Sequence, residues 1–251
     1  MPDPQNATAA PVENGGFVWK VGGTAAEFDL GDGIPDSDVY LHDDWGDNKL
    51  TNRDDSETTT YNGVEGVYRP EWAVDITTGS DPFSANNSQL EVRGPGDEDR
   101  RASLRAGINL NLDEMVTWEY TGLDFDLADD TVPEASFQPF STTTTPVGDF
   151  PGCYEQGYTA VLDSSANQIR FYEVTDADNF TELISDSSIN NPDTLTITRD
   201  ASGTWEVYVD GNSIGTATDT THTAAELTAF GVRSRSDDFQ SNYDVDEVKV
   251  F

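Results

Sequence analysis

The sequence predicts an all-β fold, a sandwich or barrel of antiparallel strands, and three observations lead there. Short β-like segments recur from Val39 onward, separated by Gly, Pro, Asn and Asp and lacking any helical period. Two alternating segments, Thr194-Leu-Thr-Ile-Thr-Arg199 and Thr204-Trp-Glu-Val-Tyr-Val209, flank the turn cluster Asp200-Ala-Ser-Gly203, and Asp210-Gly211 then supplies the φ > 0 turn of a tight hairpin. The chain ends on Tyr243-Asp-Val-Asp-Glu-Val-Lys-Val-Phe251, in which Asp246 shares strand parity with Val248 and Val250. Continuous alternation there puts a carboxylate on the apolar face, where it needs a partner because an unpaired buried charge is prohibitive.

The elements follow in order. Residues 1–38 read as a Pro/Ala/Asn/Gly-rich N-terminal arm, with a small hairpin of Phe17–Val21 and Ala26–Leu30 about Gly22-Gly23 and an Asp-rich turn at Gly31–Asp38. Residues 39–251 read as one β domain. Its early strands are Val39–His42, Gly66–Arg69, Trp72–Ile76, Gln89–Arg93, Ala102–Ile108 and Val116–Tyr120. Ser136–Phe140, Tyr158–Leu162, Gln168–Val174, Thr194–Thr198, Trp205–Val209, Ile214–Ala217, Leu227–Ser234 and Asp244–Phe251 complete it. Thr223-Ala-Ala-Glu-Leu227 offers one helical turn, and Trp205, in phase with Val207 and Val209, is expected in the core.

Charge bounds the function. A net charge of −35, rich in Asp and with ammonium groups only at Lys20, Lys49 and Lys249, would work against a compact state in dilute buffer. At molar salt the Debye length falls to about 3 Å and this repulsion largely vanishes. The acids are spread among strands rather than gathered in one tail, so the composition fits a hypersaline medium. The same charge excludes nucleic acid and anionic membrane surfaces as partners, and no apolar run reaches the length of a membrane-spanning helix. The N-terminus reads as no signal peptide, having neither a basic start nor an apolar core. The lone Cys153 excludes an internal disulfide framework. Asn6, Asn86 and Asn179 open glycosylation sequons.

Gly157–Leu162, Gln168–Val174, Leu195–Asp210, Phe230–Ser234 and Val245–Val250 together resemble the laminin-G/concanavalin-A-like lectin–glucanase superfamily. The block Leu195–Gly211 is similar to its central hairpin and Val245-Asp-Glu-Val248 to its closing strand. The resemblance implies a concanavalin-A-like jelly-roll sandwich of two antiparallel sheets, with the opening strand beside the closing one and often a calcium ion between them. The segments Ile34–Asp38 and Asp43–Arg53 further resemble the openings of such modules in haloarchaeal and haloviral surface proteins.

Chemistry was sought on these strands. The superfamily's hydrolases carry the spacing Glu-x-Asp-x-x-Glu on one strand, which supplies the close carboxyl pair of retaining chemistry. No such triplet is present, and with His42 and His222 the only histidines the usual bases are scarce. The expectation is a protein that is not an enzyme. For a structural Ca2+ the candidate ligands are Asp246, with Asp43 or Asp44 from the opening strand; the alternative at Asp246 is a carboxylate satisfied by backbone amides. A second candidate, Asp29–Asp38 with Asp32 and Asp36, resembles the calcium loop of thrombospondin type-3 repeats. For a sugar ligand the candidates are Tyr158 and Tyr172, with Arg233 and Arg235 sharing one strand face.

These readings converge on a lectin-like structural protein on the surface of a haloarchaeal virus particle: a tail fibre, spike or capsid decoration. Its expected partners are other virion proteins, further copies of itself as a homo-oligomer, and a host glycan or S-layer. The rivals are a carbohydrate-binding module on the surface of a halophilic archaeon and a polysaccharide-active enzyme.

Overall fold

The computed structural model describes residues 8–11, 17–21, 24–28, 40–50, 58–61, 64–68, 70–78, 81–93, 100–108, 110–125, 133–147, 153–163, 167–176, 178–189, 191–234 and 242–251. Strands β1 (Thr8–Pro11), β2 (Phe17–Val21) and β3 (Thr24–Phe28) form a three-stranded antiparallel sheet of that order. Then come β4 (Leu41–Asp43), the paired strands β5 (Thr58–Tyr61) and β6 (Val64–Tyr68), β7 (Ala73–Thr78), β8 (Phe83–Asn86), β9 (Gln89–Arg93) and β10 (Arg100–Gly107). The middle of the chain gives β11 (Val116–Thr121), β12 (Asp124–Phe125), β13 (Pro133–Ser141), β14 (Gly157–Asp163), β15 (Gln168–Asp176) and β16 (Asn179–Asp186). The last are β17 (Thr194–Arg199), β18 (Thr204–Val209), β19 (Asn212–Thr218), β20 (Leu227–Ser234), β21 (Asn242–Val245) and β22 (Glu247–Val250).

Two large antiparallel sheets face each other. One has seven strands in the order β16-β15-β14-β13-β20-β10-β7, and the other six in the order β19-β18-β17-β11-β22-β4. Alternation decides which residues meet between them. In β17 and β18 the burial pattern reads intermediate-buried throughout, so Leu195, Ile197, Trp205, Val207 and Val209 point inward and the threonines outward. Opposite them lie Leu104, Phe137, Phe140, Tyr158, Ala160, Phe171 and Phe230. The centre is aromatic: Trp118 stacks on Trp205 with ring centroids 5.8 Å apart, and Tyr158 approaches Trp205 to 4.4 Å. The expected hairpin turn is formed as its residues demand, with Asp210 at φ 49° and Gly211 at φ 75°.

The opening strand lies beside the closing one, as the resemblance implied: Leu41 pairs with Val250, His42 with Lys249 and Asp43 with Val248. The closing strand itself is not continuous. β21 pairs with β9 in a four-stranded sheet of order β12-β21-β9-β8, whereas β22 pairs with β11 and β4 in the six-stranded one. Asp246 is the bend between them, its N–H donating to the Thr121 carbonyl at 2.9 Å. The inserted residue resets the parity, so Tyr243 and Val245 are buried on one side of the bend and Val248 and Val250 on the other. The inward placement expected for Asp246 is therefore corrected: its side chain is exposed and accepts a hydrogen bond from Gln89 Nε2.

Two further corrections concern local structure. Residues 223–226 form no helical turn; Glu226 instead accepts from Ile108 N–H and donates its own N–H to Ser141, stitching the segment to the sheet. Strand β16 was not foreseen, because its pattern is largely exposed: Asn179-Phe-Thr-Glu-Leu-Ile-Ser-Asp186 buries fully only Ile184. A polar sheet edge carries little periodic signal.

Candidate functional site

The face of the seven-stranded sheet turned away from the core gathers polar side chains from neighbouring strands. Ser103 and Arg105 come from β10, Asp75 from β7 opposite Ser103, and Ser136 and Gln138 from β13. Alternation sends them there because Leu104, Phe137 and Val74 take the inward positions. Against this face lie residues 142–147 and 153–156, joined by Thr142 N–H to Gln156 O, Val147 N–H to Cys153 O and Glu155 N–H to Thr145 O. Gln138, fully buried, clamps it: its Nε2 donates to the Tyr154 carbonyl and its Oε1 accepts from the Tyr154 N–H, both at 2.9 Å.

That clamp aims the Tyr154 hydroxyl at Asp75, to which it donates at 2.7 Å. Arg105 Nε donates to the same carboxylate oxygen at 2.6 Å. Burial, and then the hydrogen bond to Asp75, push the Tyr154 hydroxyl well above the usual phenol range. The bond to Asp75 likewise raises the Arg105 guanidinium. The Asp75 and Arg105 side chains remain 37% and 30% exposed, so this pair can exchange solvent for ligand hydroxyls while Tyr154 stays fixed beneath. A carboxylate accepts and a guanidinium donates, which is the pairing that vicinal sugar hydroxyls use.

Of the residues expected to bind sugar, Tyr158 and Tyr172 are not brought together. Tyr158 and Tyr172 lie on paired strands but on opposite faces: Tyr158 is wholly buried between the sheets, and Tyr172 packs with Val147, Cys153, Val161 and Val174 on the other side. The Tyr158 hydroxyl donates to Asp219 Oδ1 and accepts from His222 N–H at 3.3 Å. Beside it His222 Nε2 meets Glu173 Oε1 at 2.8 Å, both residues buried. Burial pushes the Asp219 carboxyl up, but the bonds from Tyr158 and Thr221 outweigh it and the net shift is down. Arg233 pairs across from Arg101 on one side and Glu134 on the other, and Arg235 lies outside the described residues. Trp45, Trp72, Trp118 and Trp205 are each fully buried and give no stacking platform.

The expected calcium ligands fare differently from one another. Asp43 is fully buried beside the closing strand, yet its oxygens face donors: Trp45 N–H at 2.9 Å and Trp72 Nε1–H at 2.6 Å. Each oxygen thus accepts one N–H, which ties Asp43 to Trp45 and Trp72. Asp44 Oδ1 accepts the Gly46 N–H at 3.0 Å in a local turn. Asp32 and Asp36 lie outside the described residues. Among the described residues no group of three or more His, Cys, Asp or Glu is placed to hold a metal ion.

No family model matches the sequence, and no curated protein matches it. Solved structures do. The carbohydrate recognition domain of Emp46p in its potassium-bound form superposes with a TM-score of 0.56 at 10% identity, over 72% of this chain and 88% of that one. The corresponding domain of Emp47p gives 0.53 at 13%, over 72% and 87%. The exoplasmic/lumenal domain of VIP36 in its Ca2+/Man3GlcNAc-bound form gives 0.55 at 14%, over 72% and 82%. At these identities the likeness concerns the fold: this chain is an all-β, concanavalin-A-like sandwich, as its strand pattern and motif order led one to expect.

Proposed function

We propose that this chain is a non-enzymatic, lectin-like carbohydrate-binding module working outside the cell. The observation that carries the reading is its similarity to domains named for carbohydrate recognition and to a VIP36 domain with bound Man3GlcNAc. The binding face is the outer side of the seven-stranded sheet around Asp75 and Arg105. The Man3GlcNAc bound by VIP36 is neutral, and a neutral oligosaccharide is the ligand class proposed here. Ca2+ belongs to this reading as a structural ion, supported by the Ca2+-bound forms of VIP36. Its candidate ligands are Asp43, Asp44, Asp246, Asp32 and Asp36. Arg233 and Arg235 remain candidate contacts.

Within that reading the finer assignment is a homo-oligomeric surface component of a haloarchaeal virus, supported by the acidic composition and by the resemblance to haloviral surface modules. A module of a haloarchaeal cell-surface protein has the same support. The test of binding is a neutral-glycan array in molar salt, followed by titration calorimetry with the wild type and with Asp75→Asn. Binding that Asp75→Asn weakens at least tenfold is expected, and absence of any glycan binding sinks the module. Mass spectrometry of purified particles separates the two placements, and a virion lacking this chain ends the viral one.

A further inference from the structure

Arg199 ends β17, and the alternation of that strand turns it inward with Leu195 and Ile197. It is 3% exposed, pairs across β18 with Trp205, and holds its guanidinium 5.9 Å above the Trp205 ring. Its Nη1 donates to the Leu112 and Asp200 carbonyls at 2.8 and 3.2 Å. Its Nε has no acceptor, and no described carboxylate forms an ion pair with it. The acids around the neighbouring Tyr158 are engaged elsewhere, Glu173 with His222 and Asp219 with Tyr158. The indole N–H groups of Trp205 and of Trp118, stacked on it, are also buried without acceptors.

Three buried N–H donors thus sit on Trp205 and the two side chains that flank it, Arg199 and Trp118, one of them positively charged. A buried donor left without an acceptor is destabilising, and a buried charge without a counter-charge more so. The cation–π contact offsets only part of that. A water would accept from two donors, but it brings two protons of its own and no charge to offset the guanidinium. A monatomic anion, which brings no protons, would accept from such donors and neutralise the guanidinium.

We propose that the core holds a buried halide site, occupied by chloride, with Arg199 Nε, Trp205 Nε1 and Trp118 Nε1 as its donors. The site lies between the sheets, apart from the outer face assigned to sugar, so it stands or falls independently of that assignment. Chloride here is a structural counter-ion, and stability then depends on the identity of the anion as well as on ionic strength.

The test uses the full chain. Crystals grown or soaked in molar bromide should show an anomalous peak between Arg199 and the stacked Trp118–Trp205 pair. In solution, with gluconate holding ionic strength constant, the melting temperature should climb by about 3–6 °C for each tenfold rise in chloride above its dissociation constant. Arg199→Gln should abolish that slope while leaving the dependence on total salt. Should that variant not fold, the bromide peak decides alone. An ordered water with no anomalous signal at that place, or equal melting in chloride and gluconate, overturns the proposal.

Discussion

The replacement Asp43→Asn isolates the buried carboxylate at the start of the sandwich. Asp43 is fully buried and accepts hydrogen bonds from the Trp45 amide and the Trp72 indole, at 2.9 and 2.6 Å through different oxygens. Asparagine keeps the shape and one acceptor but sets an NH2 against the second donor. One charge-assisted bond is lost, worth about 1.5–3 kcal/mol, and a donor is left buried and unpaired for about 1–3 kcal/mol more. The sum is about 2.5–6 kcal/mol, or a fall in Tm of about 5–24 °C at about 2–4 °C per kcal/mol. Calorimetry in molar salt measures it, and a double-mutant cycle with Trp72→Phe apportions the indole's share, with a coupling of about 1 kcal/mol or more expected. A Tm within 2 °C of wild type, or zero coupling, would refute the account of Asp43 as a hydrogen-bonded anchor.

Three other outcomes follow from the same geometry. Gly122 sits at φ +61°, and a Cβ there would come within 2.1 Å of Asp246 Oδ2, so Gly122→Ala should destabilise by about 1–3 kcal/mol, only partly relieved by adding Asp246→Gly; a neutral Gly122→Ala in chemical denaturation contradicts this packing of the bend. For Glu247, burial pushes the carboxyl up, but hydrogen bonds from His42 and Lys249 outweigh it and its pKa in the fold is lowered. Its contribution is then complete above the unfolded value of about 4.3 and is lost as pH falls through the lower folded value, so Glu247→Gln should flatten the acid limb of the stability–pH curve there; an unchanged acid limb argues against the pairing. Finally, chelation at constant high salt should lower the Tm if Ca2+ is structural, and an unchanged Tm removes the ion from the proposed function.

Much of this molecule was legible along the chain. Alternation and turn chemistry suffice for β17, β18 and the Asp210-Gly211 turn, since each depends on neighbours in sequence. They also place Trp205 in the core, where it is fully buried. The same alternation, followed through to its end, turns Arg199 inward, so the buried charge was readable in a strand whose last position carried it. What sequence could not give was any position fixed by a change of partner. The closing segment reads as one uninterrupted strand, but at Asp246 it leaves one sheet for another, and the extra residue reverses its parity. Nothing local to Tyr243–Phe251 encodes that crossing; it is imposed by β9 on one side and by β11 and β4 on the other. The candidate face shows the same limit, because Asp75, Arg105 and Tyr154 meet only through strand order and the Gln138 clamp. The sequence by itself determined the strands and the side-chain parity within each, which are short-range steric properties. Only the tertiary structure decided which carboxylate is buried and which polar groups converge, because those depend on long-range pairing.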